Sequence, residues 1–418
     1  MVLAHAGARR KAPEPAGLTM NDARRIDTLA VHAGALEAPA NTPVSPPLYQ
    51  ASAYVFEDLD DVEAVYGGTK PGKIYGRYGG PNGEAFARAV AELEGAEDAV
   101  GASSGMAAIC AAFFTTLRAG DHAVVTQDVY GGTHAVVTVD FPARGIQSTF
   151  VDACDPEALR AAIRPGRTKV VYLEALTNPL IRIPAFADAV RLAHEAGALV
   201  IVDATFASPA LFRSLEHGAD LVVHSVTKYL GGHGDVGAGV IAGSRTLVEA
   251  ARAYLIRTGA TMPHFEAWLA HRGLRTLALR MERHSRNAEA AAAFLASAAP
   301  TVTKVHHPSL ATHPQHRLAQ QLFPDGCGGM LSFELSGGRV AVDAFIRGLR
   351  MIEVVHSLGE VGTTISYSVA SSHRGIPEAE RAALGVTENL LRLSCGIERS
   401  DDIIDDLRRG LDAAREKG

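Results

Sequence analysis

The sequence predicts an α/β fold, a mostly parallel sheet covered by helices, followed by a smaller α+β C-terminal domain. Three observations predict it. Between about residues 83 and 243 short apolar runs alternate with amphipathic stretches. The runs are apolar throughout, as in strands buried on both faces of a parallel sheet. Past about residue 265 the alternation gives way to a long Arg- and Ala-rich stretch and then a mixed region.

The elements follow in order. Phe86, Val90 and Leu93 recur at helical spacing up to Gly95. Strands are expected at Asp98–Ala102, His122–Thr126, Ser148–Val151, Lys169–Leu173, Ala198–Val202, Asp220–His224 and Ala238–Ala242. Helices are expected at Met106–Leu117, Pro156–Ile163 and Phe186–Ala196. One long helical stretch runs from Phe265 to Ala298. A strand near Met330–Leu335, a helix near Val340–Leu349, a strand near Leu391–Cys395 and a final helix to Glu416 complete the second domain. The expected division is residues 1–75 as a tail and extended arm, 76–265 as the main domain and 266–418 as the C-terminal domain. Met1 to about Arg25 reads as a mobile tail, upstream of an alternative start at Met20.

Composition excludes several classes. A net charge of −6 gives no electrostatic case for nucleic acid or an anionic membrane. No apolar run reaches the roughly 18 residues of a membrane span. The N-terminus has no apolar core of a secretory signal. Four cysteines without CxxC spacing suit a reducing cytoplasm, and neither a disulfide framework nor a zinc site. Gly232 to Gly237 fits GxGxxG but leads into a strand-like run, and Gly67 to Lys73 fits a phosphate loop but is followed by Ile74. His306, His307, His313 and His316 lie in a proline-broken loop without a local acid or cysteine, so they read as packed or solvated, and no metal is expected.

One lysine stands apart. The chain has only seven among its 40 basic residues, and Lys228 alone follows the carboxyl end of a buried-type strand. Parallel sheets bind ligands beyond that end. Ser225 and Thr227 offer hydroxyls to a phosphate beside it. Asp203 ends another such strand and would suit a cofactor ring that must stay protonated, as pyridoxal 5′-phosphate does; the plain alternative is a helix cap. Ser104, Gly105 and Met106 stand between a strand and a helix, where amides bind phosphate; the plain alternative is an N-cap serine. Arg392 sits among apolar neighbours and needs a carboxylate, either internal or from a substrate.

These stretches together resemble the Cys/Met-metabolism (trans-sulfuration) family of pyridoxal-phosphate enzymes. The most specific segment runs from Asp203 to Gly239, "DATFASP…HGADLVVHSVTKYLGGHGDVGAG". Further matches are "YGRYGGPN" (75–82), "SSGMAAI" (103–109), "DVYGGT" (128–133), "TNPLIRI" (177–183) and "LLRLSCGIE" (390–398). The resemblance implies the fold type I, aspartate-aminotransferase-like architecture of PLP-dependent transferases. It implies that Lys228 binds the cofactor covalently and then carries protons. It implies that Asp203 pairs with the ring nitrogen, Tyr130 stacks on the ring, and Asn178 contacts the ring's hydroxyl side. Ser104, Gly105, Met106, Ser225 and Thr227 would surround the phosphate, with Tyr75 and Arg77 reaching it from a neighbouring subunit. Ser357 and Arg392 would hold the substrate carboxylate. A shared site implies at least a dimer, typically a tetramer.

The resemblance further implies γ-elimination or γ-replacement on a sulfur amino acid or O-acylhomoserine, of cystathionine γ-synthase or γ-lyase type. Methionine γ-lyase and homoserine sulfhydrylase follow. An aminotransferase or a non-catalytic PLP-binding protein are the alternatives of another class. The sequence departs from the family pattern at Gly76, at Gly80-Pro81-Asn82 and at Ala175. Gly132 stands where methionine γ-lyases usually carry Cys. Gly362 stands where cystathionine γ-lyases often carry Glu, with Glu360 close by.

Overall fold

The computed structural model describes residues 26–34, 43–371, 374–375 and 377–417. The expected tail from Met1 to Arg25 lies outside them. Seven strands form the main sheet: β1 (Asp98–Ala102), β2 (His122–Thr126), β3 (Gln147–Val151), β4 (Thr168–Glu174), β5 (Leu199–Asp203), β6 (Leu221–Ser225) and β7 (Gly239–Gly243). Their spatial order is β1-β7-β6-β5-β4-β2-β3. Only β7 runs antiparallel to its neighbours. The carboxyl ends of β1, β2, β4, β5 and β6 therefore lie along one edge.

Alternation within the strands explains the continuous apolar runs. Val200, Val222 and Val240 pack on one face, while Ile201, Val223 and Ile241 pack on the other. Both faces are buried under helices, so neither set can be polar. The Gly232–Gly237 turn leads into β7 rather than into a helix.

A second sheet holds β8 (Val302–His306), β9 (Met330–Leu335), β10 (Glu353–Val354), β11 (Thr364–Ser366) and β12 (Leu390–Ser394). Its order is β10-β11-β12-β9-β8, antiparallel except for β10–β11. It has its own core around Leu331, Phe333, Phe345 and Leu407.

Three expectations need correction. The helical stretch Phe265–Ala298 is two helices, His264–Leu274 and Leu277–Ala296. Between them Arg280 takes the Gly273 carbonyl at 2.8 Å and the Thr276 hydroxyl at 3.1 Å, a tertiary demand invisible in helical periodicity. The change of core does not fall at 265. Ala267, Leu274 and Met281 pack into the main core, and Ala288, Ala291 and Leu295 into the second. The helix Leu277–Ala296 thus runs through both. Finally, the arm is not wholly extended: helix Ile26–His32 buries Ala30, and Ala33 beyond it is buried too, both in the main core. Helix Leu59–Tyr66, in contrast, buries nothing.

The histidine loop is occupied internally. His307 is fully buried, His306 Nε2 lies 3.2 Å from Glu334 Oε1, and His316 Nδ1 lies 2.8 Å from the Pro308 carbonyl.

Candidate active site

A cavity of about 660 Å³ opens along the carboxyl edge of the main sheet. Its lining includes Ser104, Gly105, Met106, Tyr130, Asn178, Asp203, Ser225, Thr227, Lys228 and Arg392. Ten of the residues singled out in the sequence are thus brought together from six separate stretches of chain.

Lys228 is the third residue past β6. Its Nζ donates to Ser357 Oγ at 2.9 Å. Burial pulls its pKa down to about 8, the nearby Arg392 charge adds to the fall, and Glu360 opposes it. A buried cation is costly, so this amine gives up its proton near pH 8, far more readily than an ordinary lysine. Ser357 is brought to the site through this bond.

Asp203 ends β5 with its Oδ1 accepting from the Thr205 amide at 2.9 Å and the Tyr172 hydroxyl 3.4 Å from its Oδ2. Burial raises its pKa, and the Thr205 bonds oppose the rise. Both plain and functional readings hold in part: the carboxyl does cap the turn at Thr205, yet it has no cationic partner among the described residues. Glu174 is its register partner on β4. Glu174 Oε1 accepts from the Tyr130 amide at 2.6 Å. Burial raises its pKa well above the usual range, and the charge of Asp203 raises it further. Glu174, not among the residues expected from the sequence, ends a buried strand just as Asp203 does.

The helix Gly105–Thr116 starts at the cavity wall with Ser104 as its N-cap, whose Oγ accepts from the Ala107 amide at 3.0 Å. The first amides of a helix have no intrahelical acceptor. A Cβ on Gly105 would come 2.8 Å from Ser225 Cβ, so only glycine lets this turn lie against β6. The Thr227 hydroxyl is engaged with Ala238, accepting its amide at 3.2 Å. The Ser225 amide donates to Thr205 Oγ1 at 2.9 Å.

Arg392 lies on β12, in the second sheet, and is 5% exposed. Its Nη1 donates to Asn178 Oδ1 at 2.9 Å and its Nη2 to the Ser357 carbonyl at 3.4 Å. Its Nε has no partner. No carboxylate of the described residues pairs with it, which removes the internal salt bridge. Burial lowers its pKa to about 10, which still leaves it charged at neutral pH.

Three expected residues are not in the lining: Ser357, which meets it through Lys228, and Tyr75 and Arg77. Tyr75 is about half exposed, and Arg77 Nη1 donates to the Ile256 carbonyl at 2.6 Å. The cavity also contains residues that sequence reading missed: Ile109, Leu176, Phe206, His356, Leu358, Ser371 and Arg374. They come from loops and from side chains whose direction only the tertiary fold sets.

The residues fit pyridoxal 5′-phosphate. An amine of lowered pKa, an unpaired buried acid, a helix N-terminus closed against Ser225 and an exposed aromatic ring at Tyr130 match an aldehyde, a ring nitrogen, a phosphate and a ring face.

Comparison with known proteins agrees. A model of the Cys/Met metabolism PLP-dependent enzymes matches residues 27–412. The L-methionine gamma-lyase of Porphyromonas gingivalis is 40% identical over 391 residues, 92% of this chain and 96% of that protein. The cystathionine gamma-synthase of Escherichia coli is 40% identical over 393 residues, 94% of this chain and 99% of that protein. A crystal structure of cystathionine gamma synthase from Xanthomonas oryzae pv. oryzae in complex with cystathionine superposes with a TM-score of 0.88 at 38% identity, covering 94% of this chain and 98% of that one. With a lysine, an acid and an unmatched arginine in one cavity and this likeness over nearly the whole chain, the protein belongs to the Cys/Met metabolism family of PLP-dependent enzymes.

Proposed function

We propose that this cavity catalyses γ-elimination or γ-replacement on sulfur amino acids or O-acylhomoserines, in the manner of cystathionine γ-synthase or γ-lyase. The observation that carries the reading is Arg392: a buried guanidinium, unmatched by any internal carboxylate, in the same cavity as Lys228. Such a group calls for a carboxylate from outside. An amino acid supplies one, at the right end to present its amine to the cofactor.

Bound pyridoxal 5′-phosphate would draw off the electron pairs released at the substrate α- and β-carbons. Lys228 would hold it covalently, Asp203 would face the ring nitrogen, Tyr130 would stack on the ring and Asn178 would meet its hydroxyl side. Ser104, Gly105, Met106, Ser225 and Thr227 would surround the phosphate. Arg392 and Ser357 would hold the substrate carboxylate. The Lys228 amine, whose pKa burial lowers to about 8, would serve as the base that takes the substrate α-proton. Tyr130 would exchange a proton with the amine or the leaving group. γ-Elimination would release the γ-substituent as a thiol or a carboxylic acid and, with water, yield 2-oxobutanoate and ammonia; γ-replacement would instead place an incoming thiol on the γ-carbon.

Tyr75 and Arg77 would complete the phosphate site of a neighbouring subunit. The arm that leads to them exposes Val44, Val55 and Leu59, which are 91%, 100% and 79% exposed. A homo-oligomer, a dimer at least and a tetramer of two such dimers in the full assembly, would cover them. Light scattering on the purified protein checks this. The four free cysteines suit a reducing compartment, the cytoplasm.

Methionine γ-lyase is the second reading, favoured by the 40% identity to the Porphyromonas gingivalis enzyme. Gly132, in place of the usual cysteine, puts it behind. The test is to offer L-methionine, L-cystathionine, L-cysteine and O-acyl-L-homoserine, with and without a thiol, and to measure oxo acid, ammonia and thioether. Formation of 2-oxobutanoate or of a γ-thioether supports the proposal. PLP-loaded protein that forms none of these, or that instead accumulates the amine form of the cofactor, contradicts it.

A further inference from the structure

Two carboxyls stand side by side in the cavity lining. Glu174 and Asp203 are register partners at the ends of β4 and β5, on the same face of the sheet. Burial raises the pKa of both. Neither forms an ion pair among the described residues. Two such neighbours cannot both carry charge cheaply. A cofactor ring nitrogen needs an anion facing it, so it matters which of the two is ionised.

The donors they receive set them apart. Glu174 Oε1 accepts from the Tyr130 amide at 2.6 Å. Asp203 Oδ1 accepts from the Thr205 amide at 2.9 Å, and its Oδ2 accepts from the Tyr172 hydroxyl at 3.4 Å. Tyr172 lies on β4, two residues before Glu174 and on the same face. Its hydroxyl nevertheless goes across to the neighbouring strand. Burial, with the charges of Asp203 and Glu174, raises the Tyr172 pKa well above its usual range. The hydroxyl therefore keeps its proton and acts as a donor.

Packing alone does not call for this hydroxyl. The Tyr172 ring is fully buried against Phe113, with ring centroids 4.9 Å apart. A phenylalanine would fill the same space. A buried tyrosine hydroxyl is costly unless it is bonded, and Asp203 is its acceptor. Thr133 brings a second buried hydroxyl beside it, with no hydrogen bond elsewhere. His224, the other titratable group near Asp203, follows the register partner of Asp203 and so points to the opposite face, where Glu94 holds it at 2.6 Å.

We propose that Tyr172 is a positioning residue that fixes the negative charge on Asp203 rather than on Glu174, so that an anion faces the cofactor ring nitrogen. Its hydroxyl stabilises the ionised form of Asp203 and leaves the proton of the pair to Glu174. This rests on the placing of Asp203 against that nitrogen and supplies the reason its charge stays there.

The test uses the enzyme loaded with PLP isotopically labelled at the ring nitrogen. Nitrogen NMR at neutral pH separates a protonated ring nitrogen from a free one. Tyr172→Phe keeps the ring against Phe113 and removes only the hydroxyl. Its signal is expected to move towards the free position, by about a tenfold change in the ratio of the two proton positions, the size of one hydrogen bond to a charged group. Asp203→Asn is expected to move it further. A signal that moves in Asp203→Asn but not in Tyr172→Phe overturns the proposal, even where stability or PLP affinity falls, because lost packing would do that alone. A signal unmoved in Asp203→Asn overturns the placing of Asp203 itself, and the role of Tyr172 with it.

Discussion

Arg392 Nη1 donates to Asn178 Oδ1 at 2.9 Å, joining a strand of the second sheet to the loop that follows β4. The same guanidinium reaches the carbonyl of Ser357, whose hydroxyl accepts from Lys228. One buried cation thereby ties the expected substrate end of the cavity to the expected cofactor end.

Arg392→Lys should raise KM for the amino-acid substrate by about 100-fold, because a point charge cannot replace the two-pronged guanidinium at a buried site. Cofactor affinity should change far less. Steady-state kinetics and a PLP titration on the same preparation check this. A KM that stays within a few-fold of wild type would contradict the role given to Arg392.

Burial of Lys228 sets a pH dependence of stability. Its pKa falls from 10.5 in the free side chain to about 8 in the fold, chiefly through burial. Between these values the unfolded chain binds the proton and the folded apoenzyme does not, so stability rises with pH across that window. Below pH 8 the buried charge costs about 3 kcal/mol, relieved as the pH approaches 10.5. Lys228→Met should therefore make the apoenzyme more stable than wild type at pH 7.5, with the gap closing by pH 10. Urea unfolding of both proteins checks this, and a gap that does not vary with pH would count against a buried, shifted lysine.

Glu174 should matter to the cofactor through Tyr130. Its carboxyl holds the Tyr130 amide at 2.6 Å, at the start of the segment that presents the ring. Glu174→Ala leaves that amide unpaired, at a cost of about 1–3 kcal/mol. PLP affinity should fall by about 10-fold or more, and Glu174→Gln, which still accepts a hydrogen bond, should recover most of it. Equal losses in both variants would show that charge, not the hydrogen bond, is what matters.

The loop after Lys228 has little freedom. Arg280 Nη1 donates to the Tyr229 carbonyl at 2.7 Å, and its guanidinium occupies the space over Gly232. Gly232 has a φ of +75°, and a Cβ there would come 2.1 Å from Arg280 Nη1. Gly232→Ala should cost about 1–3 kcal/mol of stability from backbone strain, with more from displacing Arg280. It should also loosen PLP. Thermal unfolding with and without cofactor measures both, and a variant as stable as wild type would contradict the packing described.

The main sheet was legible because its strands are buried on both faces, so each expected strand falls within a residue or two of its place. The second sheet was only half legible: β10 and β11 have two and three residues, too few to show an alternation. The helix break before Leu277 and the core change within that helix come from Arg280 and from packing partners far away in sequence. Lys228, Asp203 and Arg392 could be picked out because each is a charge set against an apolar strand. Glu174 carries the same signal and was overlooked. His356 and Arg374 carry none, since a loop residue reveals its direction only in the folded chain. Tyr75 and Arg77 lie outside the cavity, and only the resemblance gives them a role.

Lys228 is the lysine proposed to hold the cofactor. Borohydride reduction of the PLP-loaded protein, followed by peptide mass analysis, tests it most directly. The pyridoxyl-phosphate mass should appear on the peptide containing Lys228 and on no other. The same mass on a peptide of Lys70, Lys73, Lys169 or Lys304, with Lys228 unmodified, would contradict it.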